Sequence, residues 1–73
     1  SIANIALWDG CEWHTPAQPL LPGTQRRYLL DTGQIKETDI PVASLGNYRY
    51  IRLFNALIPF GEVELPVGQI RMY

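Results

Sequence analysis

Apolar positions are grouped in short runs broken by turn residues, and no run is long enough for an extended helix. Ile2 to Trp8 is almost wholly apolar and stops at Asp9-Gly10, which predicts a first strand and a tight turn, with a short continuation over Cys11 to Thr15. His14 to Gly23 carries prolines at 16, 19 and 22. That spacing of three favours an extended, polyproline-like arm over residues 14-23. Gln25 to Leu30 and Gln34 to Thr38 flank Asp31-Thr32-Gly33, where the glycine suits a positive φ, so the pattern predicts a hairpin. Ile40 to Leu45, Gly61 to Leu65 and Gly68 to Tyr73 complete a set of six to seven short strands. The expected fold class is all-β: one small antiparallel sheet or sandwich spanning 1-73, with the Pro-rich segment as an arm.

Tyr48 to Ile58 is the strongest segment and admits two readings. Tyr50, Leu53, Phe54, Leu57 and Ile58 fall at helical spacing and end at Pro59. Gly46, Asn47, the tyrosines and Ile51 are mediocre helix formers, which favours a strand. As a strand it places Tyr48, Tyr50, Arg52 and Phe54 on one face and Arg49, Ile51 and Leu53 on the other. Tyr, Arg and Phe are enriched at the centres of interfaces, so the first face is the expected contact surface, with Pro16, Pro19, Leu20, Leu21 and Pro22 as a docking arm.

Composition adds a reason to expect partners. The chain has 73 residues, of which 47% are hydrophobic and only 18% charged, against roughly 25% charged in an average domain. A single core of this size supplies only about 3 to 5 kcal/mol, and lone Cys11 offers no internal disulfide. Association with other protein subunits, in a homo-oligomer or a larger assembly, is the remaining source of stability. A net charge of -1 provides no field for nucleic acid, and Arg26-Arg27 reads first as a solvated strand edge and second as a phosphate or carboxylate contact. The apolar run at the start lacks the basic lead-in of a signal and the length of a membrane span, so a soluble, unexported chain without membrane contact is expected.

Three constellations bear on chemistry. Leu29-Leu30-Asp31-Thr32-Gly33 matches the hydrophobic-hydrophobic-Asp-Thr-Gly signature of aspartic proteases, in which two chains would pair their Asp31 carboxyls around a shared proton. Gln34 follows where a small residue is usual, and tight-turn chemistry accounts for all three loop residues. Asp9, Cys11, Glu12 and His14 form a dense patch of metal-ligating types, but a structural zinc wants four ligands and strand positions 11 and 14 point to opposite faces. A buried thiol and a rim imidazole are the expectation, with no metal and no cofactor. Trp8 and Trp13 flank the first turn and are expected to plug the small core rather than stack on a ligand.

Tyr48-Arg49-Tyr50-Ile51-Arg52-Leu53 resembles a strand of β-sandwich proteins, including discoidin-type jelly rolls and the small capsid decoration and cement proteins of tailed phages. The phage resemblance implies a β-sandwich that staples capsomers by strand pairing and draped arms. The leading expectation is therefore a non-enzymatic structural subunit of a virion that contacts a capsid protein. The alternatives are a small accessory subunit of a cytoplasmic enzyme complex and a protease-like homodimer using Asp31.

Overall fold

The computed structural model describes residues 3-18 and 23-69. Five strands form one mixed sheet: β1 (Asn4–Trp8), β2 (Trp13–Pro16), β3 (Ile35–Thr38), β4 (Tyr50–Phe54) and β5 (Val63–Pro66), in the order β3-β2-β1-β4-β5. An eight-residue helix, α1 (Thr24–Asp31), connects β2 to β3. The chain is β-rich as expected, but with five described strands in one mixed sheet in place of six or seven in an antiparallel sheet or sandwich.

β1 and β2 are an antiparallel hairpin, registered by Leu7 with His14 and Trp8 with Trp13. Asp9 builds its turn: one carboxylate oxygen accepts the N–H groups of Cys11 at 2.7 Å and Glu12 at 2.9 Å. Gly10 takes φ +108°, a conformation that selects glycine, with the Arg49 guanidinium close by. β4 lies antiparallel on the other side of β1, pairing Asn4 with Phe54 through Trp8 with Tyr50, and β5 returns against β4. The strand reading of the 48-58 segment therefore holds over Tyr50–Phe54.

The hairpin expected across Asp31-Thr32-Gly33 is not present. Thr24–Asp31 is helical, and β3 pairs parallel with β2, Trp13 opposite Ile35. Parallel neighbours need a crossover, and α1 provides it. The residues read as a hairpin loop instead stop the helix. Gly33, at φ +76°, donates its N–H to Leu30 O at 3.1 Å, and Gln34 donates to Leu29 O at 2.9 Å. This is the Schellman pattern, which requires the same left-handed glycine that a hairpin loop would. Ile40 to Leu45 likewise does not form a strand; Val42–Asn47 is a 3₁₀ turn.

Strand pairing sorts the side chains into two faces. Ala6, Trp8, Trp13, Thr15, Ile35, Arg52 and Phe54 lie on the helix side by register. Ala6, Leu29, Ile35 and Phe54 are the buried cluster, with Trp13, Leu30 and Phe60 packed against it. Its aromatic members touch in series. Phe54 meets Phe60 edge-on at 5.5 Å between ring centroids, Phe60 meets Trp13 at 5.6 Å, and Trp13 meets Trp8 at 5.2 Å. Such contacts add about 0.5 to 1.5 kcal/mol each to their area burial. The opposite face carries Ile5, Leu7, His14, Ile51, Leu53, Val63 and Leu65, of which Leu7 is fully buried and Leu65 is exposed.

Candidate functional site

A concavity lies at the head of α1. A cavity of roughly 210 Å³ is lined by Asn4 from β1, Gly23 to Arg26 from the helix start, and Asn55 and Ala56 from the segment after β4. Gly23 is the N-cap in extended backbone and supplies no side-chain cap, and the first intrahelical bond is Arg27 N–H to Gly23 O at 3.1 Å. The N–H groups of Thr24, Gln25 and Arg26 therefore lack intrahelical acceptors at the positive end of the helix dipole.

Arg26 strengthens that field. Its side chain is 8% exposed; Nη2 donates to Pro16 O at 3.1 Å and lies 3.6 Å from Glu37 Oε1. Its Nε is buried without a partner among the described residues. A buried donor left unpaired costs about 1 to 3 kcal/mol, more on a charged group. Glu37 offsets part of the charge from the surface side.

Gln25 fixes the opposite wall. Its amide nitrogen donates to Asn55 O and, at 3.2 Å, to Ile58 O, while its Oε1 accepts the N–H of Phe60 at 2.7 Å. Asn55 tightens the same loop, since its Oδ1 accepts from Leu57 N at 2.8 Å and Ile58 N at 2.9 Å. One glutamine thus ties the head of the helix to the 55-60 segment. The arrangement can hold an anionic group between backbone donors and a buried guanidinium.

Apart from Arg26, whose second reading was an anion contact, none of the cavity residues stood out as a site in the sequence. Arg26, expected to be solvated, is buried beneath the helix. The available signal was Gly23-Thr24 ahead of Gln-Arg-Arg-Tyr-Leu-Leu, a run of adequate helix formers with a short cap, which a strand reading conceals.

The residues that were singled out fall in several places. Phe54 is fully buried in the core, so it is not part of a contact surface. Tyr50 is 40% exposed, and Arg52 is half-buried against Trp13 and Phe60. Tyr48 precedes β4 and its hydroxyl lies 2.8 Å from His14 Nδ1. Pro16 ends β2 and its carbonyl accepts from Arg26. Pro19, Leu20, Leu21 and Pro22 lie outside the described residues, as does most of Gly68 to Tyr73. Asp31 ends α1 at the surface, 3.6 Å from Arg27 of the same helix face. Cys11 is exposed in the hairpin turn and not buried, whereas Asp9, Glu12 and His14 converge without it.

No family model matches the chain. It is 42% identical over 57 residues to an uncharacterised protein of Haemophilus influenzae, covering 78% of this chain and 30% of that protein. It also resembles the crystal structure of a protein from Haemophilus somnus described as a candidate 4-amino-4-deoxychorismate lyase. There the TM-score is 0.74 and the identity 40%, over 80% of this chain and 30% of the other. The chain thus spans about 30% of the length of each protein it matches. These likenesses overturn the virion assignment and the non-enzymatic structural role. Similarity reaches bacterial proteins, one of them described as an enzyme, and none of it leads to a phage capsid. Of the segment Tyr48 to Leu53 that carried the phage resemblance, residues 50-53 belong to β4, an inner strand of a mixed sheet.

Proposed function

We propose that this chain forms one part of a cellular enzyme of the lyase type and that the pocket at the head of α1 holds an anionic group of a bound molecule. The observation that carries the reading is the cavity that Arg26 helps to line beside three helix-start N–H groups that lack intrahelical acceptors. The 40% identity to the Haemophilus somnus protein supports it, because the compound in that protein's description is a carboxylate anion.

In this reading Arg26 and the N–H groups of Thr24 to Arg26 bind and orient, Asn4 and Asn55 line the side walls, and Gln25 keeps the pocket at fixed width. Bond cleavage is left to residues of a larger body. The matched proteins are about three times as long as the aligned part, and exposed Leu57 and Leu65 are suited to packing against further polypeptide. The expected contact role of Tyr50 and Arg52 belongs to the same proposal, as a seam between protein parts.

The test is turnover of 4-amino-4-deoxychorismate by the full protein as the cell makes it, with Arg26→Met as the variant and circular dichroism as the fold control. Removing one such charged donor is expected to lower kcat/KM about 10- to 100-fold, mainly through a raised KM, with the sheet intact. A folded Arg26→Met protein with undiminished turnover, or a wild-type protein without turnover that also fails to bind inorganic phosphate or acetate, would overturn the proposal.

A further inference from the structure

The β1–β2 turn, at the other end of β1 from the anion pocket and about 17 Å along the strand from Asn4, brings three unlike ligand types together. Asp9, Glu12 and His14 each offer one donor atom, and these lie within 4.8 Å of one another. Each side chain is anchored through its other polar atom. Asp9 Oδ1 accepts the two backbone N–H groups of the turn, which leaves Oδ2 facing His14 Nε2 at 3.7 Å. Glu12 Oε1 accepts from Lys36 Nζ at 3.0 Å, which leaves Oε2 at 2.6 Å from His14 Nε2. His14 Nδ1 lies 2.8 Å from the Tyr48 hydroxyl, and the two rings meet edge-on at 83°. The imidazole is therefore aimed from behind with Nε2 forward.

We propose that Asp9, Glu12 and His14 bind a first-row divalent transition-metal ion of the Zn²⁺ kind, through Oδ2, Oε2 and Nε2, with Tyr48 as the residue that orients the imidazole. A proton on Nε2 serves Glu12 at 2.6 Å but leaves Asp9 Oδ2 beyond hydrogen-bond range. A divalent ion with bonds of about 2.0 to 2.2 Å reaches both oxygens and the nitrogen after small side-chain shifts. Two carboxylates also match its charge. The imidazole selects against Mg²⁺ and Ca²⁺, which take oxygen ligands. Three protein donors with half-open exposure, 15% for His14 and 41% for Glu12, leave positions for water. Metal on Nε2 puts the ring proton on Nδ1, where the Tyr48 oxygen accepts it. This outer contact is the one by which metal-bound histidines are commonly held. The sequence argued against a metal because Cys11 and His14 diverge; the structure replaces the thiol with Asp9.

Titration of the full chain with Co²⁺, read by its visible ligand-field absorption and then displaced by Zn²⁺, tests the site. One equivalent is expected to bind, with Mg²⁺ failing to compete. His14→Ala and Glu12→Gln should abolish the signal, and Tyr48→Phe should weaken binding about 10- to 100-fold. Cys11→Ser should leave it unchanged, since the thiol takes no part. If His14→Ala unfolds by circular dichroism, Glu12→Gln and Tyr48→Phe decide alone. Absence of Co²⁺ absorption in the wild type, binding indifferent to Glu12→Gln, or binding lost in Cys11→Ser would each overturn the proposal.

Discussion

The guanidinium of Arg52 lies 4.3 Å from the centroid of the Trp13 ring, across β1 from it in the sheet. The same group covers Phe60 at 4.8 Å, and its Nε donates to Glu64 at 2.8 Å. A flat cation satisfies all three contacts because it presents a face to the rings and an edge to the carboxylate. Arg52→Lys keeps the charge and loses the plane. It is expected to cost about 0.5 to 1 kcal/mol in urea denaturation, a typical value for a partly exposed cation–π contact. An unchanged midpoint would show that charge alone matters.

Gly33 and Gly46 form a natural contrast. Gly33 sits at φ +76° in the stop signal of α1, whereas Gly46 lies in the 3₁₀ turn at ordinary φ with nothing near its missing Cβ. Gly33→Ala should destabilise by about 1 kcal/mol, and Gly46→Ala should be neutral or slightly stabilising. Thermal melts of the two variants side by side check this. Equal melting temperatures would mean that α1 ends in another way.

Asp9 and Glu12 give the hairpin a definite acid response. The N–H groups of Glu12 and Cys11 hold the Asp9 carboxyl below its usual range, and hydrogen bonds from His14 and then Lys36 do the same for Glu12. A carboxyl with a depressed folded pKa contributes stability that is complete above its unfolded pKa, about 4, and that is lost as pH falls through the folded value. Stability of the chelator-treated chain should therefore hold level down to about pH 5 and decline below it. Asp9→Asn should flatten that decline, while an identical acid limb in Asp9→Asn and Glu12→Gln would remove both groups from the account.

Asp31 supplies a negative control. It is exposed at the end of α1 and its ion pair with Arg27, at 3.6 Å, is solvated on both sides. Such pairs contribute between zero and about 1 kcal/mol. Asp31→Asn should leave both stability and any turnover of the full protein within error. Loss of activity without loss of folding would return a catalytic role to this carboxyl.

The extent to which the structure was legible differs from residue to residue. β1 and its stop were readable because Ile2 to Trp8 ends on Asp9-Gly10, where side-chain and backbone needs coincide. β4 was readable because Tyr50 to Phe54 is bulky on both faces, as suits an inner strand flanked by β1 and β5. α1 was not readable. Arg26 and Leu29 are its only buried residues, too few for a periodic signal, and Gly33 fits a hairpin loop and a helix stop equally well. Once α1 was read as a strand, the parallel β2–β3 pairing followed out of reach. The cavity at the head of α1 combines three separated stretches, and the burial of Arg26 follows from a helix that the sequence did not reveal. The Asp9, Glu12 and His14 cluster was visible as composition, but its convergence depends on the β1–β2 register and the Asp9 turn, and the Tyr48 contact that holds His14 is remote in sequence.

The grip of Gln25 on the 55-60 segment gives the molecule a built-in optical gauge. Gln25 holds the Phe60 N–H, and Phe60 abuts Trp13, which in turn leans on Trp8. A shift at the start of the helix is expected to reach two indole rings along that row, whose emission colour and intensity report how polar and how crowded their surroundings are. Occupancy at a colourless site can thus be followed by intrinsic fluorescence, with no dye attached and no residue replaced.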